Sequence, residues 1–67
     1  MIPTENNLPI RFIDMDNNVY DGLFIKKENL FFIGFEESGD FLFSFQVKAW
    51  EKLSDEYIKS KGYDKLM

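Results

Sequence analysis

The chain has 67 residues, carries a net charge of -4 and contains neither histidine nor cysteine. This composition excludes a Ser-His triad, a thiolate nucleophile, a disulfide framework and an ordinary zinc site. The acidic balance argues against a sequence-independent grip on nucleic acid, which needs clustered lysine and arginine. Eight phenylalanines supply much of the apolar side-chain area of this short chain. A domain of this size must pack such large side chains efficiently to be stable.

The pattern along the chain predicts one small domain. Its parts are an irregular arm (1–8), a β-meander (9–47), a helix (48–61) and a tail (62–67). The first residues show no basic segment followed by an apolar one, and no stretch approaches the roughly 18 apolar residues of a membrane span. We therefore expect no membrane association and a cytoplasmic location.

Residues 9–47 contain four short runs rich in aromatic and β-branched residues, separated by polar turns. The length of each turn predicts the register of its hairpin, and a slip of one residue sends every side chain to the opposite face. A three-residue loop with a left-handed Asn29 pairs Ile25 with Phe31.

The other two turns also predict the register of their hairpins. A two-residue turn at Asn17 and Asn18 closes the first hairpin, and a three-residue loop with a left-handed Gly39 pairs Phe35 with Phe41. The three turns agree on one apolar face, which is the predicted core. Its members are Ile10, Phe12, Leu23, Ile25, Phe31, Ile33, Phe35, Phe41, Phe43, Phe45 and Val47.

After Val47 the apolar residues fall at helical spacing, which predicts a helix over 48–61 with Gly62 at the position that follows it. Ser54 is also a good N-cap, so the alternative is a helix that begins there, with 48–53 as a turn. The predicted class is α+β: a four-stranded antiparallel β-meander with one C-terminal α-helix packed on the phenylalanine-rich face.

One helix cannot cover both faces of such a sheet. The second face carries more apolar area than a monomer normally exposes, and its candidate partner-binding residues are Ile13, Tyr20, Phe24, Phe32 and Leu42. Three alternatives stay open. The arm and the tail fold over this face, a second copy of the chain pairs with it in a two-sheet dimer, or another protein binds it.

Acidic residues suggest a second candidate surface. Glu36, Glu37 and Asp40 lie at one predicted hairpin tip and form a candidate acidic edge. Such a cluster resembles a phosphate backbone, so a nucleic-acid mimic is a further alternative. Lysines interleave with the acidic residues along the chain, and a solvated surface explains this pattern more simply.

The segment from Asp14 begins like the calcium loop Asp-x-Asp-x-Asn, because Asp16 and Asn18 occupy the third and fifth positions. A calcium loop then needs glycine at its sixth position and glutamate at its twelfth, where this chain has Val19 and Ile25. The segment is therefore interpreted as a hairpin turn. No metal, cofactor or catalytic residue is predicted, and we expect no enzyme activity.

Four segments carry a family resemblance: Asn7-Leu8-Pro9, Asp21-Gly22-Leu23-Phe24, Gly39-Asp40 and Val47-x-x-Trp50-x-x-Leu53. With them the chain resembles a family of short phage and prophage domains of unknown function. It departs from the family in continuing with Ser54-Asp55-Glu56 where a proline-rich ending is usual, and in lacking a tryptophan near the start. The resemblance implies a phage or other mobile-element source, a bacterial host cytoplasm and no catalytic residue.

These observations predict a small acidic, non-catalytic protein-binding module. By analogy with small acidic phage proteins, we expect it to modulate or inhibit a host protein. The alternative is a structural subunit that self-assembles as a dimer.

Overall fold

A computed structural model describes residues 3, 7–35 and 39–66. The elements, in chain order, are β1 (Leu8–Asp14), β2 (Val19–Ile25), β3 (Leu30–Ile33), β4 (Phe41–Phe43), a 3-10 turn (Ser44–Gln46), β5 (Val47–Lys52), α1 (Asp55–Ser60) and a second 3-10 turn (Tyr63–Lys65). The strands form one antiparallel sheet in the order β4-β3-β2-β1-β5, which curls into a half-barrel. The prediction of four strands and one packed helix is therefore wrong, because this fold is mostly β.

The predicted helix over 48–61 fails in its first half because β5 completes the sheet beside β1. One residue of β5, Lys48, is extra in this pairing and makes a β-bulge. Residues three apart in a regular strand point to opposite faces, but the bulge returns Val47 and Trp50 to the same face, where both pack against one core cluster. The spacing that predicted a helix arises from a bulged strand.

The second half of the predicted helix is correct. The Ser54 hydroxyl accepts a hydrogen bond from the backbone N–H of Tyr57 at 3.2 Å, so Ser54 is the N-cap of α1. Gly62 follows the helix with a φ of 73°, in the left-handed conformation expected after a helix end. The alternative start at Ser54 is confirmed, although residues 48–52 form a strand rather than a turn.

The register of the β2–β3 hairpin differs from the prediction by one residue. Asn29 is left-handed as predicted, with a φ of 57°. The loop has four residues rather than three, because Ile25 pairs with Leu30 instead of Phe31. This shift of one residue in the register moves Phe31 to the face opposite Ile25.

The other two hairpins also differ from their predicted turns. In the first, a left-handed Asn17 with a φ of 67° closes a three-residue loop over 15–17. In the β3–β4 hairpin, the N–H of Ile33 donates to the carbonyl of Asp40 at 2.8 Å, so the connection spans six residues, 34–39. Part of that connection lies outside the described residues.

Two hydrophobic clusters lie on opposite faces of the curled sheet. The inner cluster contains Leu8, Ile10, Phe12, Phe24 and Phe31, with Tyr20, Ile33, Leu42, Val47 and Trp50 packed against it. All five strands contribute to it, which places it inside the curl. The outer cluster contains Leu23, Ile25, Phe32, Phe35, Leu53 and Ile58, with Leu30, Tyr57 and Tyr63 packed against it. The predicted single core is thus divided between two faces.

A close backbone approach explains why residue 22 is glycine. Gly22 forms an isolated bridge with Gly34, where the chain leaves β3. A Cβ atom on Gly22 would lie 1.8 Å from the carbonyl oxygen of Phe32 and 2.8 Å from that of Gly34. No L side chain fits there without moving β3 away from β2.

Two residues near the ends of the described chain are placed against the rest of the fold. Pro3 is fully buried, and Tyr63 packs on the outer cluster. Across residues 3, 7–35 and 39–66, no helix is long and apolar enough to cross a membrane.

Candidate functional site: a phenylalanine strip on the edge strand

The structure does not bring the five predicted partner-binding residues together on one open face. Phe24 is 0% exposed in the inner cluster, whereas Phe32 is 3% exposed in the outer cluster. Tyr20 and Leu42 pack half-buried against the inner cluster, and Ile13 is half-buried on the outer side of β1. Phe24 and Phe32 lack the exposure that a docking surface requires.

The predicted acidic edge is placed only in part. Glu36 and Glu37 lie outside the described residues. Asp40 is exposed and directly precedes β4. The edge strand that follows Asp40 and the 3-10 turn after it carry the most exposed aromatic residues among those that the structure describes.

Three of these residues, Phe41, Phe43 and Phe45, form what we call the phenylalanine strip. Their exposed fractions are 43%, 48% and 75%. The rings of Phe41 and Phe43 meet edge-on at 5.5 Å between centroids, and those of Phe43 and Phe45 stack at 5.5 Å with 4° between their planes. The strip is therefore a continuous aromatic surface, since each ring supports the next.

The register explains why the strip is exposed. Phe41 pairs with Phe32 and Phe43 with Leu30, so both phenylalanines point to the outer face. Phe32 contacts the Phe41 ring at 5.7 Å between centroids and joins the strip to the outer cluster. Leu53 and Ile58 are buried in the same cluster as residues of β2 and β3. The strip is a part of the outer face that they leave open.

Two side-chain contacts hold the turn that carries Phe45. The Gln46 side-chain oxygen accepts a hydrogen bond from the backbone N–H of Phe43 at 2.8 Å. This N–H belongs to the free edge of β4, so Gln46 occupies a group that an added strand would use. The Asn29 amide donates to the hydroxyl of Ser44 at 3.4 Å and ties the β2–β3 loop to the same turn.

A hollow of about 260 Å³ opens beside Phe45, between the 3-10 turn and the first hairpin. Asp14, Met15 and Asp16 line its far side. Asp14 is held in place by the N–H groups of Asp16 and Asn18, each at 2.9 Å, and by the Tyr20 hydroxyl at 2.8 Å. The hydrogen bond from the Asn18 backbone N–H lowers the pKa of Asp14, so this carboxyl is ionised at neutral pH.

The calcium-like segment therefore works as a hairpin turn, as interpreted from the sequence. The Asp14 oxygens accept bonds from within the turn, and the φ of Asn17 closes it. Within the described part of the chain, no group of three or more His, Cys, Asp or Glu side chains is arranged to hold a metal ion.

A polar cluster on the outer face joins α1 to the sheet. Arg11 and Asp21, opposite each other on β1 and β2, form an ion pair with Nε–Oδ1 at 2.8 Å. The Tyr57 hydroxyl accepts from Arg11 at 2.6 Å and donates to Asp21 at 3.1 Å. The hydrogen bonds from Arg11 lower the pKa of Asp21. Since every member bonds to the other two, this cluster is a structural brace.

A second hollow, of about 230 Å³, lies on the outer side of β1 and β5. Its apolar lining includes Ile13, the exposed Val19 and Ala49, and its charged lining residues are Arg11 and Glu51. Arg11 already belongs to the brace. Ile13, one of the predicted partner-binding residues, thus lines a surface depression.

No protein-family model, curated protein or solved structure matches this chain. The candidate site therefore rests on the geometry of the chain itself. The sequence contains the alternation Phe41-x-Phe43-x-Phe45, which indicates that the three side chains share one side. The alternation does not indicate which side, and the predicted register assigned them to the core.

Proposed function

We propose that the chain is a small, non-catalytic protein-binding module that contacts its partner through the phenylalanine strip. The observation that carries this proposal is the exposure of three contiguous aromatic rings on one edge strand and the turn that follows it. With about 200 Å² for a whole phenylalanine side chain, the strip exposes roughly 300–350 Å². Apolar patches of about this size on a monomer are often functional.

The resemblance to short phage domains extends the proposal to a modulator or inhibitor of a bacterial host protein. The strip supports a contact role because aromatic residues are enriched where partners bind. Its position also favours contact, since the rings lie on a short edge strand and an adjoining turn and not in a cleft.

The test compares three immobilised proteins for capture from a bacterial lysate: the natural chain, Phe43→Glu with Phe45→Glu, and Val19→Glu. Val19 is 60% exposed on β2, two strands away from β4, so its substitution adds a charge at a similarly exposed apolar site. We expect a saturable partner that the natural chain and Val19→Glu retain and the strip variant loses. Circular dichroism verifies that all three are folded. Equal retention by the strip variant, or no saturable partner of the natural chain, overturns the proposal.

A further inference from the structure

The surroundings of the phenylalanine strip contain carboxylates at both ends. Asp40 directly precedes Phe41, and Asp14 and Asp16 line the hollow that Phe45 closes on the other side. Asp16 and Asp40 are exposed. Both ends of the aromatic surface are therefore negative, in a chain whose net charge is -4.

Lysines in two elements near the strip leave this sign unchanged at the ends. The Lys48 ammonium donates to the side-chain oxygen of Asn17 at 2.8 Å, at the tip of the first hairpin. The same hairpin carries two carboxylates, those of Asp14 and Asp16. Lys26 and Lys27 lie in the β2–β3 loop, which reaches the middle turn through Asn29.

A second copy of this chain fits the strip poorly. A twofold axis through the middle of the strip would bring the Asp40 end of one copy against the Asp14 and Asp16 end of the other, and like charges at an interface are repulsive. The strip alone would bury about 700 Å² in such a dimer, below the roughly 1,000 Å² that a stable interface needs. A short segment of another protein suits this area better.

Strand addition is also hindered at this edge. β4 has three residues, and the outward N–H of Phe43 already bonds to Gln46. Binding by main-chain hydrogen bonds needs a row of free edge groups. Recognition at the strip therefore depends on side chains.

On these grounds, and resting on the proposed function, we infer that the strip binds a short basic segment of a partner protein. Its apolar side chains lie on the three phenylalanine rings, and its lysine or arginine side chains meet Asp40 at one end and the hollow at the other. The hollow suits such a side chain because Leu42 and Phe45 provide apolar walls for its aliphatic stem. Asp14 and Asp16 also line the hollow and can pair with the charged head group. A cation beside Phe45 also gains from its ring.

The test is an NMR titration of the isotope-labelled chain with three synthetic peptides. The first carries leucines flanked on both sides by arginines, the second has glutamates at the flanks, and the third replaces the leucines by serines. We expect the first to shift the amides of residues 41–46 and to bind about tenfold or more tightly than either other peptide. Its affinity falls as salt is raised, because exposed charges are screened.

Two variants locate the charge effect. Asp16→Asn with Asp40→Asn should weaken binding of the arginine peptide about tenfold. Asp64→Asn removes an exposed charge from the second 3-10 turn and should leave that affinity unchanged. Equal weakening by the two variants overturns the inference, since the effect would then come from net charge alone.

The remaining outcomes separate this inference from the proposed function. Equal binding of the arginine and glutamate peptides at residues 41–46 overturns the inference that the partner segment is basic. The proposed function of the strip as a protein-binding surface would still stand. Failure of every peptide to shift these residues overturns the inference, while the capture experiment decides the proposed function independently. A dimer by light scattering that Phe45→Glu dissociates identifies a second copy as the occupant and overturns it too.

Discussion

The two edge strands of the sheet present opposite surfaces. β5 has six residues, a bulge at Lys48 and mostly charged exposed positions, which include Glu51 and Lys52. β4 has three residues, and its exposed side chains are Phe41 and Phe43. Charges and bulges are the usual means by which proteins protect a sheet edge from unwanted pairing. β5 uses both of them, whereas β4 depends on its shortness and on Gln46.

This difference indicates separate roles for the two edges. Val47 and Trp50 on β5 pack against the inner cluster, so that edge closes the curl. The rings of β4 and its turn contribute little to either cluster beyond the contact of Phe41 with Phe32. We interpret β5 as the structural edge and β4 as the edge available for contact.

The largest expected effect comes from the close backbone approach at Gly22, which determines where β3 and then β4 lie. Gly22→Ala places a methyl group against the backbone of Phe32, so β3 and the strand that follows it must shift. We expect a loss of about 3 kcal/mol or more in the free energy of unfolding, measured by urea denaturation. Gly62→Ala is the control: its Cβ meets nothing within 4 Å, and only its φ of 73° is strained. A loss of about 1 kcal/mol is expected there, and equal losses in the two variants would contradict the close approach.

The next prediction compares the two edges directly. Trp50→Ala removes a large side chain packed on the inner cluster and should cost about 2–3 kcal/mol. Phe45→Ala removes a ring that is 75% exposed and should change the free energy of unfolding by less than about 0.5 kcal/mol. Thermal and urea unfolding of both variants measure this contrast. A costly Phe45→Ala would make the strip part of the core.

The brace gives a prediction about pH. The pKa of Asp21 is lower in the folded chain than in the unfolded chain, where it is about 3.9. The resulting stabilisation is complete above the unfolded value and is lost as the pH falls through about 4 toward the folded value. Asp21→Asn should cost about 1–2 kcal/mol at neutral pH, and this cost should shrink in acid.

Urea unfolding of Asp21→Asn and of the natural chain from neutral pH to pH 3 measures that convergence. Tyr57→Phe is the companion variant, since it removes one hydroxyl from the brace and should cost about 0.5–1.5 kcal/mol. If the difference in the free energy of unfolding between the natural chain and Asp21→Asn stays constant with pH, the ion pair is not the cause of that difference.

The smallest expected effect concerns the protection of the β4 edge. Gln46→Ala frees the N–H of Phe43 and should cost less than about 1 kcal/mol. We expect the variant to self-associate at lower protein concentration than the natural chain, as seen by light scattering, because an unprotected edge favours pairing. Gln46→Glu keeps an acceptor and should behave like the natural chain.

Part of this fold is predictable from the sequence because local chemistry determines it. The left-handed Asn29, the N-cap Ser54 and the glycine after the helix, Gly62, were each expected from residue type. These features depend on a few neighbouring atoms.

The strand registers and the fifth strand were not predictable in this way. A loop of four residues in place of three at Asn29 moves Phe31 to the other face, and both loops are compatible with the sequence. The bulge at Lys48 gave a strand the apparent period of a helix. The strip was missed for the same reason, since its exposure follows from pairing Phe41 with Phe32.

The pairing of β5 with β1 also bears on how the chain folds. The three hairpins are local, and such structures form within about 1–10 μs. Closing the first strand against the last joins residues as distant in the chain as Ile10 and Lys52, and non-local pairings of this kind slow folding. We therefore expect the docking of β5 to limit the folding rate, so that substitutions at Trp50 slow folding more than substitutions in the β2–β3 hairpin.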